Sequence, residues 1–128
     1  MKTITVIGSG SWGVALSIYL ANEGHNVKIW SLDEEEKRII NEDKKCKFLP
    51  NVTIPDNIKC YTTYEEALEG SEIILHVTHS KFTRNIFKGY KQYVGNRPVI
   101  ICSKGFEKDT LKTLDEVIEE ELEGVKVG

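Results

Sequence analysis

The stretch Thr3-Ile4-Thr5-Val6-Ile7-Gly8-Ser9-Gly10-Ser11-Trp12-Gly13-Val14-Ala15-Leu16 reads without interruption as a buried strand, a glycine turn and the opening of a helix. In that order each glycine has its own reason. Gly8 lets the chain turn sharply off the strand, Gly10 lets the backbone approach a pyrophosphate, and Gly13 lets the helix pack closely on the strand. The free N–H groups and positive dipole end of the helix would hold the phosphate charge. The residues therefore outline a dinucleotide pocket.

Context strengthens a spacing that is weak by itself. The motif closes an apolar, β-rich run and opens a helical pattern through Val14, Ala15, Leu16, Ile18, Tyr19 and Leu20. A second strand, Val27-Lys28-Ile29-Trp30, and an acidic residue, Asp33, follow at the distance the dinucleotide fingerprint expects, about 20 residues on. The alternative on these residues alone is a glycine turn that serves only packing.

Short apolar strands then alternate with helical segments, which calls for an α/β fold: a doubly wound, mostly parallel sheet with helices on both faces. Strands are expected near 3–8, 27–31, 58–62, 72–77 and 98–102, and helices near 12–23, 34–43, 64–69, 81–94 and 109–122. Gly24, Gly70, Gly95 and Gly124 stand at or just beyond helix ends as stop signals, and Val125-Lys126-Val127 could begin a sixth strand. The doubly wound rule puts the first strand in the centre and a ligand at its carboxyl end. At 128 residues, 40% of them hydrophobic, the chain suits one domain, residues 1–128, with a real core.

A net charge of -3 provides no basic surplus, so neither nucleic acid nor an anionic membrane is expected as partner. No apolar run approaches a membrane span, and the N-terminus enters a strand directly, which gives a cytoplasmic location as the expectation. Cys46, Cys60 and Cys102 lack any metal or disulfide spacing; Cys60 and Cys102 look like core filler, and Cys46 sits in a lysine-rich loop that could raise its reactivity. His76 reads as a satisfied structural histidine inside a strand, His79 as a loop histidine, and His25 as a turn residue with no partner nearby in sequence. The segment from Asn41 to Asn57 breaks the α/β rhythm, either as a surface excursion packed by Phe48 and Leu49 or as a ligand loop. Asp33-Glu34-Glu35-Glu36 reads as an acidic first helical turn.

Three motifs together resemble the N-terminal half of the NAD(P)-dependent glycerol-3-phosphate dehydrogenases. They are Gly8-Ser9-Gly10-Ser11-Trp12-Gly13, the Phe-Leu-Pro…Ile-Pro loop at 48–55, and Ser103-Lys104-Gly105-Phe106-Glu107. The likeness covers essentially the whole chain. It implies hydride transfer between NAD(P) and sn-glycerol 3-phosphate or dihydroxyacetone phosphate, supplying glycerophospholipid synthesis. It also implies a second, helical domain beyond residue 128 carrying the catalytic lysine, so that these residues alone bind cofactor without turning over substrate. A homodimer is the expectation for an intact enzyme, through surfaces outside these residues.

By the same resemblance, Gly8, Ser9, Gly10, Ser11, Trp12 and Gly13 bind the cofactor, with Trp12 flanking the pyrophosphate or else capping the core. Leu32 and Asp33 fall where the family meets the adenosine ribose. Asp33 argues for NAD over NADP, because a carboxylate accepts from a 2′-hydroxyl and repels a 2′-phosphate; as an alternative it is the N-cap of the next helix. Phe82 matches an aromatic near the nicotinamide, and Lys104 matches a residue that binds substrate and lies by the cofactor. Val77-Thr78-His79-Ser80 departs from the family's Val-Pro-Ser, which frees a backbone N–H. Two rivals stay open: a related two-domain dehydrogenase of the 6-phosphogluconate or ketopantoate type, and a free-standing NAD(H)-sensing module without catalysis.

Overall fold

Strand β1 (Thr3–Ile7) consists entirely of β-branched residues, whose stiff side chains suit a pleated surface covered on both sides. In the computed structural model, which describes residues 2–46, 51–77 and 83–101, this strand is the middle of a five-stranded sheet. Its neighbours are β2 (Asn26–Trp30) and β4 (Ile73–His76), with β3 (Ile58–Tyr61) and β5 (Val99–Ile101) at the edges, in the order β3-β2-β1-β4-β5. Every pairing is parallel; Ile7 stands opposite Trp30 on one side and His76 on the other. The doubly wound expectation and the central first strand are both met, and the five strand boundaries fall within one residue of those read from the pattern.

Alternation along the strands sorts the core into two layers. Val6, Val27, Ile29, Ile58 and Cys60 face one side, where helix α1 (Ser11–Asn22) adds Val14 and Ala21 and the loops add Cys46 and Ile54. Ile7, Trp30 and Ile74 face the other, covered by α3 (Tyr64–Leu68) and α4 (Thr83–Tyr90). Trp30 stacks on Tyr64 at 4.5 Å between ring centroids. Gly24, Gly70 and Gly95 follow helical ends with φ of 96, 74 and 59°, as expected of stop signals. The expected helix 81–94 divides into α4 and a 3-10 turn, Lys91–Tyr93; the helix expected at 109–122 and the sixth strand lie outside the described residues.

The helix expected over 34–43 is two elements. Helix α2 (Glu34–Arg38) passes into a π-helical turn, Ile39–Asp43, which ends at Lys44 in the left-handed region with φ 55°. The wider turn brings Asn41 against β3, where its amide accepts from Cys60 N–H and donates to Cys60 C=O, each at 2.8 Å. Such a side-chain demand on helix phase has no signature in apolar periodicity. Cys46 corrects another expectation: it is 4% exposed and part of the core, not a reactive loop thiol. His25 does find a partner, 23 residues away, accepting from Lys2 N–H on Nδ1 at 3.1 Å.

His76 is a satisfied structural histidine, as the sequence suggested. Its Nδ1 and the Tyr90 hydroxyl lie 2.7 Å apart in a buried hydrogen bond whose direction follows the ring tautomer. Burial lowers the His76 pKa from 6.5 to about 4 and raises that of Tyr90, so the pair is neutral at physiological pH. Because the folded state resists protonating His76, this stabilisation is complete above the unfolded value of 6.5 and is lost as pH falls toward 4. In urea unfolding, the stability of the native chain relative to a His76→Val/Tyr90→Phe variant should fall by about 3 kcal/mol between neutral pH and the folded pKa. A difference that stays constant over that range would contradict the assignment.

Candidate functional site

The chain leaves β1 at Gly8, whose φ of 136° is open to glycine and strained for other residues, and Gly8 N–H donates to the Trp30 carbonyl at 3.1 Å. Two residues later Gly10 is the N-cap of α1, in extended conformation with no side-chain cap, and its carbonyl accepts the first helical bond from Val14 at 3.0 Å. A Cβ at Gly13 would stand 2.6 Å from the Gly8 carbonyl oxygen, so the first turn of α1 rests backbone to backbone on the loop. A Cβ at Gly10 would meet nothing within 4 Å. The helix N-terminus has no acidic residue in its first turn, and so presents N–H donors and a positive dipole end without a protein carboxylate in that turn to neutralise them. This turn lies at the carboxyl end of β1, between β2 on one side and β4 on the other, the crevice where strand order reverses.

Beside it the ends of β1 and β2 are joined by side chains. Glu36, only 9% exposed, accepts from the Ser31 hydroxyl at 2.8 Å and from the Ser9 hydroxyl in a very short contact, while Ser9 and Ser31 hydroxyls are 2.9 Å apart. Asp33 caps α2: its carboxylate accepts from Glu35 N–H through Oδ1 at 2.8 Å, and its own N–H donates to Ser31 Oγ at 3.1 Å. Leu32 is 84% exposed and Trp12 58%, so Trp12 does not cap the core; both large apolar side chains stand open beside the glycine loop.

Ser31 and Glu36 were not singled out from the sequence. The signal was present, since Asp33-Glu34-Glu35-Glu36 has the capping-box spacing in which the fourth residue bends back over the helix start. Phe82 and Lys104, with Thr78, His79, Ser80, Cys102 and the Phe48-Leu49-Pro50 part of the loop, lie outside the described residues. Cys60 is core filler as expected, its thiol pushed up to about 12 chiefly by burial and then by the negative charge of Glu36.

The family model for the N-terminus of NAD-dependent glycerol-3-phosphate dehydrogenase matches residues 3–128. The chain belongs to this family. A glycerol-3-phosphate dehydrogenase (NAD(P)+) of Fusobacterium nucleatum is 43% identical over 125 residues, which are 95% of this chain and 37% of the Fusobacterium protein. Among solved structures, the glycerol-3-phosphate dehydrogenase of Coxiella burnetii superposes with a TM-score of 0.92 at 29% identity, over 98% of this chain and 39% of that one. The Saccharomyces cerevisiae enzyme gives 0.80 at 28% identity, over 99% and 40%. The chain thus spans well under half the length of the relatives it matches. Membership in a family of dehydrogenase N-termini disfavours the free-standing sensing module. Among the described residues no helix is long and apolar enough to cross a membrane.

Replacing Gly13 by alanine tests the close contact. The helix-propensity gain is about 1 kcal/mol, whereas a methyl forced against backbone that cannot swing aside costs more, and the net loss should be about 2 kcal/mol. A Gly13→Ala variant as stable as the parent in thermal or urea unfolding would show that the helix can move off the loop freely.

Proposed function

We propose that this chain is the cofactor-binding part of an NAD(P)-linked glycerol-3-phosphate dehydrogenase, interconverting sn-glycerol 3-phosphate and dihydroxyacetone phosphate. The observation that carries this reading is the uncapped N-terminus of α1 beside a glycine with open space above it, in a chain of this family. The residues fit a dinucleotide: N–H donors and a helix dipole for the pyrophosphate and, among the described residues, nothing within 4 Å of a Cβ built at Gly10.

In this reading Gly8, Ser9, Gly10, Ser11 and Gly13 form the pyrophosphate cradle and Trp12 screens it from water. Leu32 lies along the adenosine end, with Asp33 holding the start of α2. Phe82 packs by the nicotinamide, and Lys104 meets the substrate and the cofactor with its ammonium. The nicotinamide, when bound, exchanges a hydride at C4 with C2 of the substrate. The protein's part is to bind and orient; the base that exchanges the hydroxyl proton belongs to a helical domain outside these 128 residues, which by themselves bind cofactor without turnover. The enzyme would work in the cytoplasm, as a homodimer through surfaces beyond this part, with no role for nucleic acid or membrane.

Gly10 separates ligand contact from folding. A Gly10→Val variant should melt within a few degrees of the parent yet bind NADH at least about tenfold more weakly in fluorescence titration, since bulk enters only the ligand's space. Unchanged NADH affinity would remove the cradle from this loop. In an intact enzyme, Lys104→Ala should reduce kcat/KM by roughly ten- to a hundredfold, the worth of one charge-assisted hydrogen bond; unchanged kinetics would remove Lys104 from the substrate site.

A further inference from the structure

The acidic run that opens α2 does not behave as a uniformly solvated face. Glu34 accepts from the Thr62 hydroxyl at 2.6 Å and Glu35 pairs with Arg38 at 2.8 Å, both exposed. Glu36 turns inward instead, into a small cleft that it lines with Ser9, Ile39, Ile40 and Cys46. A carboxylate is left in such a place only if donors satisfy it, and here two hydroxyls do, one from the glycine loop and one from the residue after β2.

We propose that Glu36, acting through Ser9 and Ser31, selects NAD(H) over NADP(H). The inference rests on the dinucleotide reading above and assigns its specificity to a residue three positions beyond Asp33. In a doubly wound fold the adenosine ribose lies against the end of the second strand, where a carboxylate receives the 2′-hydroxyl. Asp33 has the usual spacing, but its carboxylate caps Glu35 N–H on the exposed side of the helix start. Among the described residues, the carboxylate that bonds to the side chains just beyond both β1 and β2 is that of Glu36.

Its effect on the subsite is twofold. The hydroxyl protons of Ser9 and Ser31 are drawn inward, so the partly exposed Ser9 oxygen meets a ligand as an acceptor, which suits a ribose hydroxyl and not a phosphate. The negative charge behind it also repels a 2′-phosphate at short range in a partly desolvated place. Of the neighbouring cations, Arg38 is held by Glu35 and Asp43, and Lys37, next in sequence to Glu36, stands about 100° further round the helix. Glu36 is a positioning residue: it sets the polarity of the serines that would face the ligand.

The test is fluorescence titration of the full chain with NADH and with NADPH, for the native protein, Glu36→Gln and Asp33→Asn, each checked by thermal melting. Gln keeps the shape and removes the charge at 36; Asn does so at 33 while still able to cap. The native chain should prefer NADH, Glu36→Gln should narrow the NADH-to-NADPH affinity ratio by about tenfold or more, and Asp33→Asn should leave the ratio unchanged. Should Glu36→Gln loosen the fold, Glu36→Met, neutral and of similar volume, should narrow the ratio in its place. A merely structural Glu36 would weaken both nucleotides equally, and that result overturns the proposal. So would a native preference for NADPH, or a ratio that Asp33→Asn narrows as much. A native chain that binds neither nucleotide refutes the dinucleotide reading itself.

Discussion

Between the Gly8 carbonyl and the first turn of α1 there is no room for a methyl group, and much of the site follows from that contact. Because the helix is seated backbone to backbone on the loop, its axis and the direction of its first N–H groups are fixed relative to β1. The serine in the loop is fixed with it, close enough to β2 to meet Ser31 and the inward carboxylate of Glu36. Ser17 completes the arrangement from inside the helix by donating to the Gly13 carbonyl at 2.8 Å. An anion-attracting helix end and a carboxylate therefore coexist one loop apart, held by a close approach of backbone that only glycine allows.

The opposite layer is organised by polar groups buried with their partners. Thr5 donates to the Ala67 carbonyl at 2.6 Å from the middle of β1, tying α3 to the sheet, and His76 and Tyr90 tie α4 to the end of β4. Each such group would be costly alone in an apolar layer, and each is cheap with its partner in reach, so together they favour one seating of these two short helices over neighbouring ones. Arg97 extends the same logic to the edge, donating to the Ser71 and Tyr93 carbonyls at 2.6 Å.

The strands and their order were legible because a parallel sheet buried on both faces writes itself as short β-branched runs, and Thr3–Ile7 is an extreme case. The glycine turn was legible because glycine at Gly8 and Gly13 answers a backbone demand that local sequence shows. What escaped reading depends on partners distant in sequence. Glu36 looks like its acidic neighbours until Ser9, 27 residues earlier, arrives beside it. Asn41 reads as one more polar helical residue until β3 is in position, and Cys46 reads as a loop thiol until Ile54 and the sheet bury it. Asp33 carried two readings, ribose carboxylate and helix cap; the observed bond to Glu35 N–H is the local one, which the chain can form before any tertiary contact exists.

The Asn41 amide has a consequence for how copies of the chain meet one another. β3 is an outer strand, and the groups it turns away from β2 would be a template for any other extended segment. Asn41 meets Cys60 with one donor and one acceptor, as a neighbouring strand would, and Ile58 N–H is taken by the Pro55 carbonyl at 3.2 Å. The Ile58 N–H and both backbone groups of Cys60, which face outward on this border, are thus occupied from within. Another strand pairing along β3 would first have to displace the Asn41 amide from Cys60, a barrier that adds to the exposed charge of Lys59 on the same strand.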